Sequence, residues 1–294
     1  MSYKGNPVDI LIKSAKGEEQ KQKPLFFFCQ GSLPVPLILL YDLNKAFGTF
    51  PFNTDSICKD YHIAIVGKPY TPVIADTKKL EPDYAYRDSS GRFLKQYNDR
   101  NLLSYYAPRN LEVINYLQKQ TWISTKRLVV VGHSEGATIA AKMASLSPKI
   151  THLIYSGGNP LGRMLTIITR ERERETDSIS FVENNFEYWE QAIAGRIDNS
   201  KEITEFSIPP PMTYMEKLNI PVLVTYGSKD IGSAPFIDYM RLEMIRKNKY
   251  NFTFKAYIGT EHNFFNLKQN GEIDYDRYNW DNVALDWLKW LRTY

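Results

Sequence analysis

Three short stretches carry residue types that together do acyl-transfer chemistry. The first is Gly132-His133-Ser134-Glu135-Gly136, the second Tyr226-Gly227-Ser228-Lys229-Asp230, and the third Thr260-Glu261-His262. A serine hydroxyl attacks a carbonyl well only when a base takes its proton during attack. Neutral imidazole is such a base, and a carboxylate on its far nitrogen fixes the tautomer and stabilises the imidazolium. Ser134, His262 and Asp230 are therefore the candidates for nucleophile, base and orienting acid. Each has a plainer reading alone: a serine at a helix N-cap, a satisfied loop histidine, a turn-forming aspartate. The elements around them decide between the two.

Leu128-Val129-Val130-Val131 is a continuous β-branched run, as a strand covered on both faces should be. After Gly136, Ala137, Ala140, Ala141 and Ala144 fall on one helical face. Strand, Gly-x-Ser-x-Gly, helix is the setting of a nucleophile elbow. The turn strains the serine backbone, lifts its oxygen to the carboxyl edge of the sheet, and places a helix N-terminus beneath it. Further strands are expected at residues 8–12 (an edge), 25–29, 61–66, 152–157, 221–226 and 252–257. Helical patterns lie between several of them, including one that Pro108 opens in its first turn and a last one capped by Asp281. Alternating strands and helices imply a mostly parallel sheet with its chemistry at the carboxyl ends. Ser134, Asp230 and His262 all stand at such ends.

The chain has 294 residues, a net charge of +4 and no Lys/Arg-rich block, which argues against nucleic acid as a partner. No run is long enough for a membrane helix, so no membrane partner is expected. No apolar leader is visible at the N-terminus, and Cys29 and Cys58 have no metal-type spacing. A reducing, cytoplasmic setting is the expectation, unless a signal peptide preceded this sequence. Neither metal nor cofactor is implied, and the oligomeric state is not indicated. Residues 159–218 form an insert between two strands and are expected to be a helical cap. The α/β core would then comprise 1–158 and 219–294. Within the insert, Arg170-Glu171-Arg172-Glu173-Arg174-Glu175 has the look of a solvated helix face. Residues 70–101 form a long irregular stretch rich in aromatics.

In the order Ser, Asp, His, and over nearly its whole length, the chain resembles the α/β-hydrolase superfamily. Gly132-His133-Ser134-Glu135-Gly136, Tyr226-Gly227-Ser228-Lys229-Asp230 and Thr260-Glu261-His262 are most similar to dienelactone-hydrolase and prolyl-oligopeptidase-type catalytic domains. The resemblance implies an α/β-hydrolase fold and the three roles above. It also implies an oxyanion hole built from the N–H of Glu135 and an N–H from Ser32 or Leu33. Gln30 departs from the pattern, standing where the family usually has histidine.

The leading expectation is a serine hydrolase of a small-molecule carboxylic ester, working through an acyl-enzyme on Ser134. Lactones, macrocyclic ones included, and thioesters fall within the same chemistry. The competing readings are a peptidase or acyltransferase on the same triad, and a non-catalytic binding protein on a hydrolase scaffold. Against a peptidase stands the short stretch before the first central strands, with no room for a gating domain. Tyr188 and Trp189 in the insert, with aromatics of the 70–101 loop, are expected to line a neutral, partly apolar pocket.

Overall fold

In the computed structural model, residues 1–42, 45–176, 178–198 and 200–294 are described. Seven strands form the central sheet: β1 (Ile10–Lys13), β2 (Lys23–Cys29), β3 (His62–Val66), β4 (Ile123–His133), β5 (His152–Ser156), β6 (Val222–Gly227) and β7 (Phe252–Tyr257). Their spatial order is β7-β6-β5-β4-β2-β3-β1. Every neighbouring pair is parallel except β1 with β3.

Period-two burial explains why the strands read as continuous apolar runs. Leu25, Phe27, Leu128 and Val130 face one core, and Phe26, Phe28, Val129 and Val131 face the other. The first core is closed by α1 (Leu103–Leu117), α2 (Glu135–Leu146) and the buried Ile237, Met240 and Met244 of a later helix. The second is closed by the C-terminal helix Trp280–Leu291 through Val283, Trp287, Leu288 and Leu291. Helices on both faces bury the inner strands, as a parallel sheet requires, while the two edge strands are only partly buried.

The strand order reverses between β2 and β4. From β2 the chain grows outward to β3; from β4 it grows the other way through β5, β6 and β7. A crevice opens at the carboxyl ends where such a reversal occurs. Cys29, the last residue of β2, pairs with Gly132 near the end of β4. The loop after β2, with Ser32, and the turn after β4, with Ser134, therefore meet across that crevice.

Several local expectations are corrected. Helix α1 starts at Leu103, so Pro108 lies inside it and not in its first turn. Its start is held from elsewhere: the Glu205 carboxylate accepts the Ser104 N–H at 2.8 Å and the Ser104 hydroxyl at 2.9 Å. Asp281 is the second residue of the last helix, not its cap, and it accepts the Asn53 N–H at 2.7 Å. The 70–101 stretch is not wholly irregular. Ile74–Asp76 pairs with Ile38–Tyr41 in a small side sheet, and Lys95–Asn98 is a helical turn.

Residues 159–218 contain α3 (Arg163–Arg172), α4 (Val182–Ile193), α5 (Lys201–Glu205) and α6 (Pro211–Met215). Met164, Ile168, Val182 and Ile203 form a small separate core there. Among the described residues, no helix is long and apolar enough to cross a membrane.

Candidate active site

Ser134 sits between β4 and α2 with φ 58° and ψ −126°. A non-glycine residue held there is strained, and the surrounding packing has to enforce it. Two glycines allow the turn to be this tight. A Cβ on Gly132 would lie 1.9 Å from the Gly136 carbonyl oxygen, and one on Gly136 would lie 2.2 Å from the Cys29 carbonyl oxygen. Any side chain at either position would push α2 off the sheet.

The structure brings the three candidates into one hydrogen-bonded series. Ser134 Oγ lies 3.0 Å from His262 Nε2, and His262 Nδ1 donates to Asp230 Oδ2 at 2.6 Å. Asp230 is buried, 4% exposed, at the turn after β6. Its Oδ1 accepts the Gly232 N–H at 3.1 Å. Its Oδ2 also accepts the Ser233 hydroxyl. Burial pushes the Asp230 carboxyl up, but His262 and the hydroxyl of Ser233 outweigh it and hold the group below the usual aspartate value. A hydroxyl, imidazole and carboxylate so joined can generate a nucleophile, store its proton and return that proton to a leaving group.

The series opens into a cavity of about 140 Å³ bordered by Ser32, Ser134, Glu135, Asp230 and His262 on the sheet side. On the other side stand Asn159, Arg163, Thr166, Ile167, Arg170 and Phe206, all from the 159–218 segment. The Glu135 N–H opens α2, where no intrahelical acceptor exists. Ser32 borders the cavity and Leu33 does not. Tyr97 donates its hydroxyl to the Ser32 carbonyl at 2.5 Å. Gln30 turns away from the cavity, and its amide donates to the Val66 carbonyl at 3.1 Å, tying the ends of β2 and β3.

The expected pocket aromatics lie elsewhere. Tyr188 and Trp189 pack against the small core of the 159–218 segment and do not border the cavity. No described residue of the 70–101 stretch borders it either. The lining is also more charged than expected. Arg163 and Arg170 both face it, and Arg170 has no acidic partner among the described residues. The mixed-charge run divides: Arg172 with Glu175 and Arg174 with Glu171 form exposed local pairs, while Arg170, one turn earlier, reaches the cavity.

The sequence reading also missed Lys68, Arg163, Glu202 and Ser233. Glu135 entered only as a backbone donor. Its carboxylate is buried and takes Lys68 Nζ at 2.7 Å and Arg163 Nη2 at 2.6 Å. The available signal was Gly67-Lys68-Pro69, a lysine at the carboxyl end of a buried strand. Among the described residues, no cluster of His, Cys, Asp and Glu could hold a metal ion.

Fold and topology define the class: this is an α/β hydrolase. The family described as BAAT / Acyl-CoA thioester hydrolase C terminal matches residues 103–264, more than half of the chain and a span that includes Ser134, Asp230 and His262. The chain belongs to that family. Solved structures share the fold at low identity. An acylaminoacyl peptidase from Pyrococcus horikoshii is 12% identical with a TM-score of 0.57, and the alignment covers 96% of this chain and 39% of the peptidase. The chain thus spans well under half of that protein. Est1E from Butyrivibrio proteoclasticus, solved with ferulic acid bound, is 13% identical with a TM-score of 0.53, and 88% of each chain is covered. A Klebsiella pneumoniae protein assigned as a dienelactone hydrolase is 14% identical with a TM-score of 0.54, covering 98% of this chain and 100% of its own. A search of curated proteins finds no match.

Proposed function

We propose that the protein is a serine-dependent hydrolase of acyl esters, with acyl thioesters the first class to test. The observation that carries this reading is the Ser134–His262–Asp230 series opening into a walled cavity. Ser134 Oγ attacks the acyl carbonyl as His262 takes its proton. The oxyanion that forms is met by the Glu135 N–H and the N–H of Ser32, two residues that border the cavity. His262 then protonates the departing alcohol or thiol, and water repeats the sequence to free the acid. Residues 159–218 act as the cap over this reaction.

Two things favour a thioester with an anionic carrier over a neutral ester. The family description names acyl-CoA thioester hydrolase. Arg170 at the cavity has no acidic partner among the described residues, and a phosphate-bearing carrier would supply one. Est1E, similar in fold, has been solved with an aromatic acid bound, which keeps oxygen esters within the proposal.

The test is labelling with a fluorophosphonate, then turnover of an acyl-CoA beside a matched oxygen ester and amide. Ser134 is the expected site of modification, with thioester and ester turned over well above amide. Absence of labelling, or full turnover in Ser134→Ala, would remove the serine mechanism.

A further inference from the structure

The reaction above needs two backbone N–H groups held still at the cavity wall, and one belongs to a residue whose side chain is itself unusual. Glu135 is buried with its side chain 1% exposed, and each carboxylate oxygen takes a different cation. Lys68 Nζ holds Oε1 at 2.7 Å with its own side chain 2% exposed, and Arg163 Nη2 holds Oε2 at 2.6 Å. With both oxygens engaged, this carboxylate is not placed to move protons for the reaction. A buried ion pair is also a weak means of stabilising a fold, because apolar residues of similar volume do as well. Fixed geometry is what such a pair supplies.

We propose that Glu135 is a positioning residue: the grip of Lys68 and Arg163 on its carboxylate sets the direction of its own N–H toward the developing oxyanion. The inference rests on the serine-hydrolase reading. Its consequence is that Arg163, on the capping segment, contributes to the geometry of the step it covers.

The surrounding contacts make the grip rigid. The other arm of the Arg163 guanidinium pairs with Glu202. Glu202 Oε1 accepts the Asn101 amide at 2.7 Å, and Asn101 Oδ1 accepts the Tyr106 hydroxyl at 3.0 Å. The Tyr106 ring returns to Lys68, whose ammonium lies 4.3 Å over its centre. Burial pushes the Glu135 carboxyl up, yet Lys68 and Arg163 outweigh it and hold it below the usual glutamate value.

The experiment compares wild type with Glu135→Gln, Arg163→Gln and Arg163→Lys. The substrate is p-nitrophenyl acetate, and the inhibitors are a methyl trifluoromethyl ketone and the neutral alcohol made by reducing it. The ketone adds to Ser134 and places an oxyanion at the N–H groups; the alcohol cannot be attacked and places none. Both Gln variants are expected to lose about tenfold or more in kcat with KM nearly unchanged. They should lose the same factor in affinity for the ketone and none for the alcohol, with Arg163→Lys partly restoring both. A merely structural tether would lower the melting temperature and leave these ratios alone. Folded variants with wild-type kcat and ketone affinity overturn the proposal. Arg163→Gln decides the matter by itself should Glu135→Gln not fold. Failure of wild-type Ser134 to take fluorophosphonate overturns the serine reading and this proposal together; labelled wild type with unaffected variants overturns only this one.

Discussion

Ser233 donates its hydroxyl to Asp230 Oδ2, the same oxygen that accepts the His262 N–H. Ser233 stands at the N-cap position of the helix Ala234–Arg246 but makes no side-chain cap there. Its hydroxyl is spent on the Asp230 carboxylate instead. Ser233→Ala should fold and lose several-fold in kcat. Asp230→Asn, which upsets the tautomer as well, should lose about 10⁴-fold. Steady-state kinetics on both variants check the ranking, and equal losses would mean that Ser233 governs more than the carboxylate.

His133 gives a prediction about acid stability. It is buried next to Ser134, with its ring 4.9 Å from that of His262 and 4.7 Å from Trp280. Burial, with the nearby His262 adding to it, pushes its pKa from 6.5 down to about 3. Between those values the unfolded chain carries a proton that the folded chain refuses. Stability from this residue is therefore complete above about pH 6.5 and is lost as pH falls toward 3, by roughly 5 kcal/mol at the limit. Urea midpoints from pH 7 to 4 should fall more steeply for wild type than for His133→Gln. Parallel curves would show that His133 takes up its proton without cost.

Trp189 tests the division of labour within the 159–218 segment. It packs against the core formed by Met164, Ile168, Val182 and Ile203. Trp189→Ala should lower the melting temperature by a few degrees and scale all substrates alike. A change in relative kcat/KM among esters would return Trp189 to the substrate pocket.

Arg170 makes the opposite prediction. Arg170→Gln should leave the melting temperature unchanged and cut kcat/KM for acyl-CoA about tenfold, the lower end for a charged hydrogen bond. An N-acetylcysteamine thioester of the same acid lacks the phosphates and should be unaffected. Equal behaviour of the two thioesters would show that Arg170 does not read the carrier.

What could be read from the sequence follows from where each signal resides. Ser134 announces itself through its neighbours, a β-branched strand, two glycines and an alanine-rich helix. Asp230 and His262 are far from it along the chain, yet each closes a strand, so the logic of strand ends finds them. The Arg163 contact with Glu135 had no such local mark, because it depends on how a helix of the insert lies over the sheet. The start of α1 was misplaced for a related reason. Its first turn is satisfied by Glu205, which is 101 positions away. Tyr188 and Trp189 were placed in the pocket because aromatics suit an apolar cleft, but they serve the core of their own segment. Composition cannot separate those two uses.

The contact of Glu205 with Ser104 bears on redesign. A segment joined at two strand ends invites exchange, on the view that it is a removable module. Here residues 159–218 hold two parts of the scaffold: Glu205 satisfies the opening turn of α1, and Arg163 neutralises a carboxylate at the head of α2. A trimmed variant would expose one helix end and leave the other with altered charge balance. A graft from a relative should therefore be chosen for an acid and an arginine at these two points before loop length or sequence similarity is weighed.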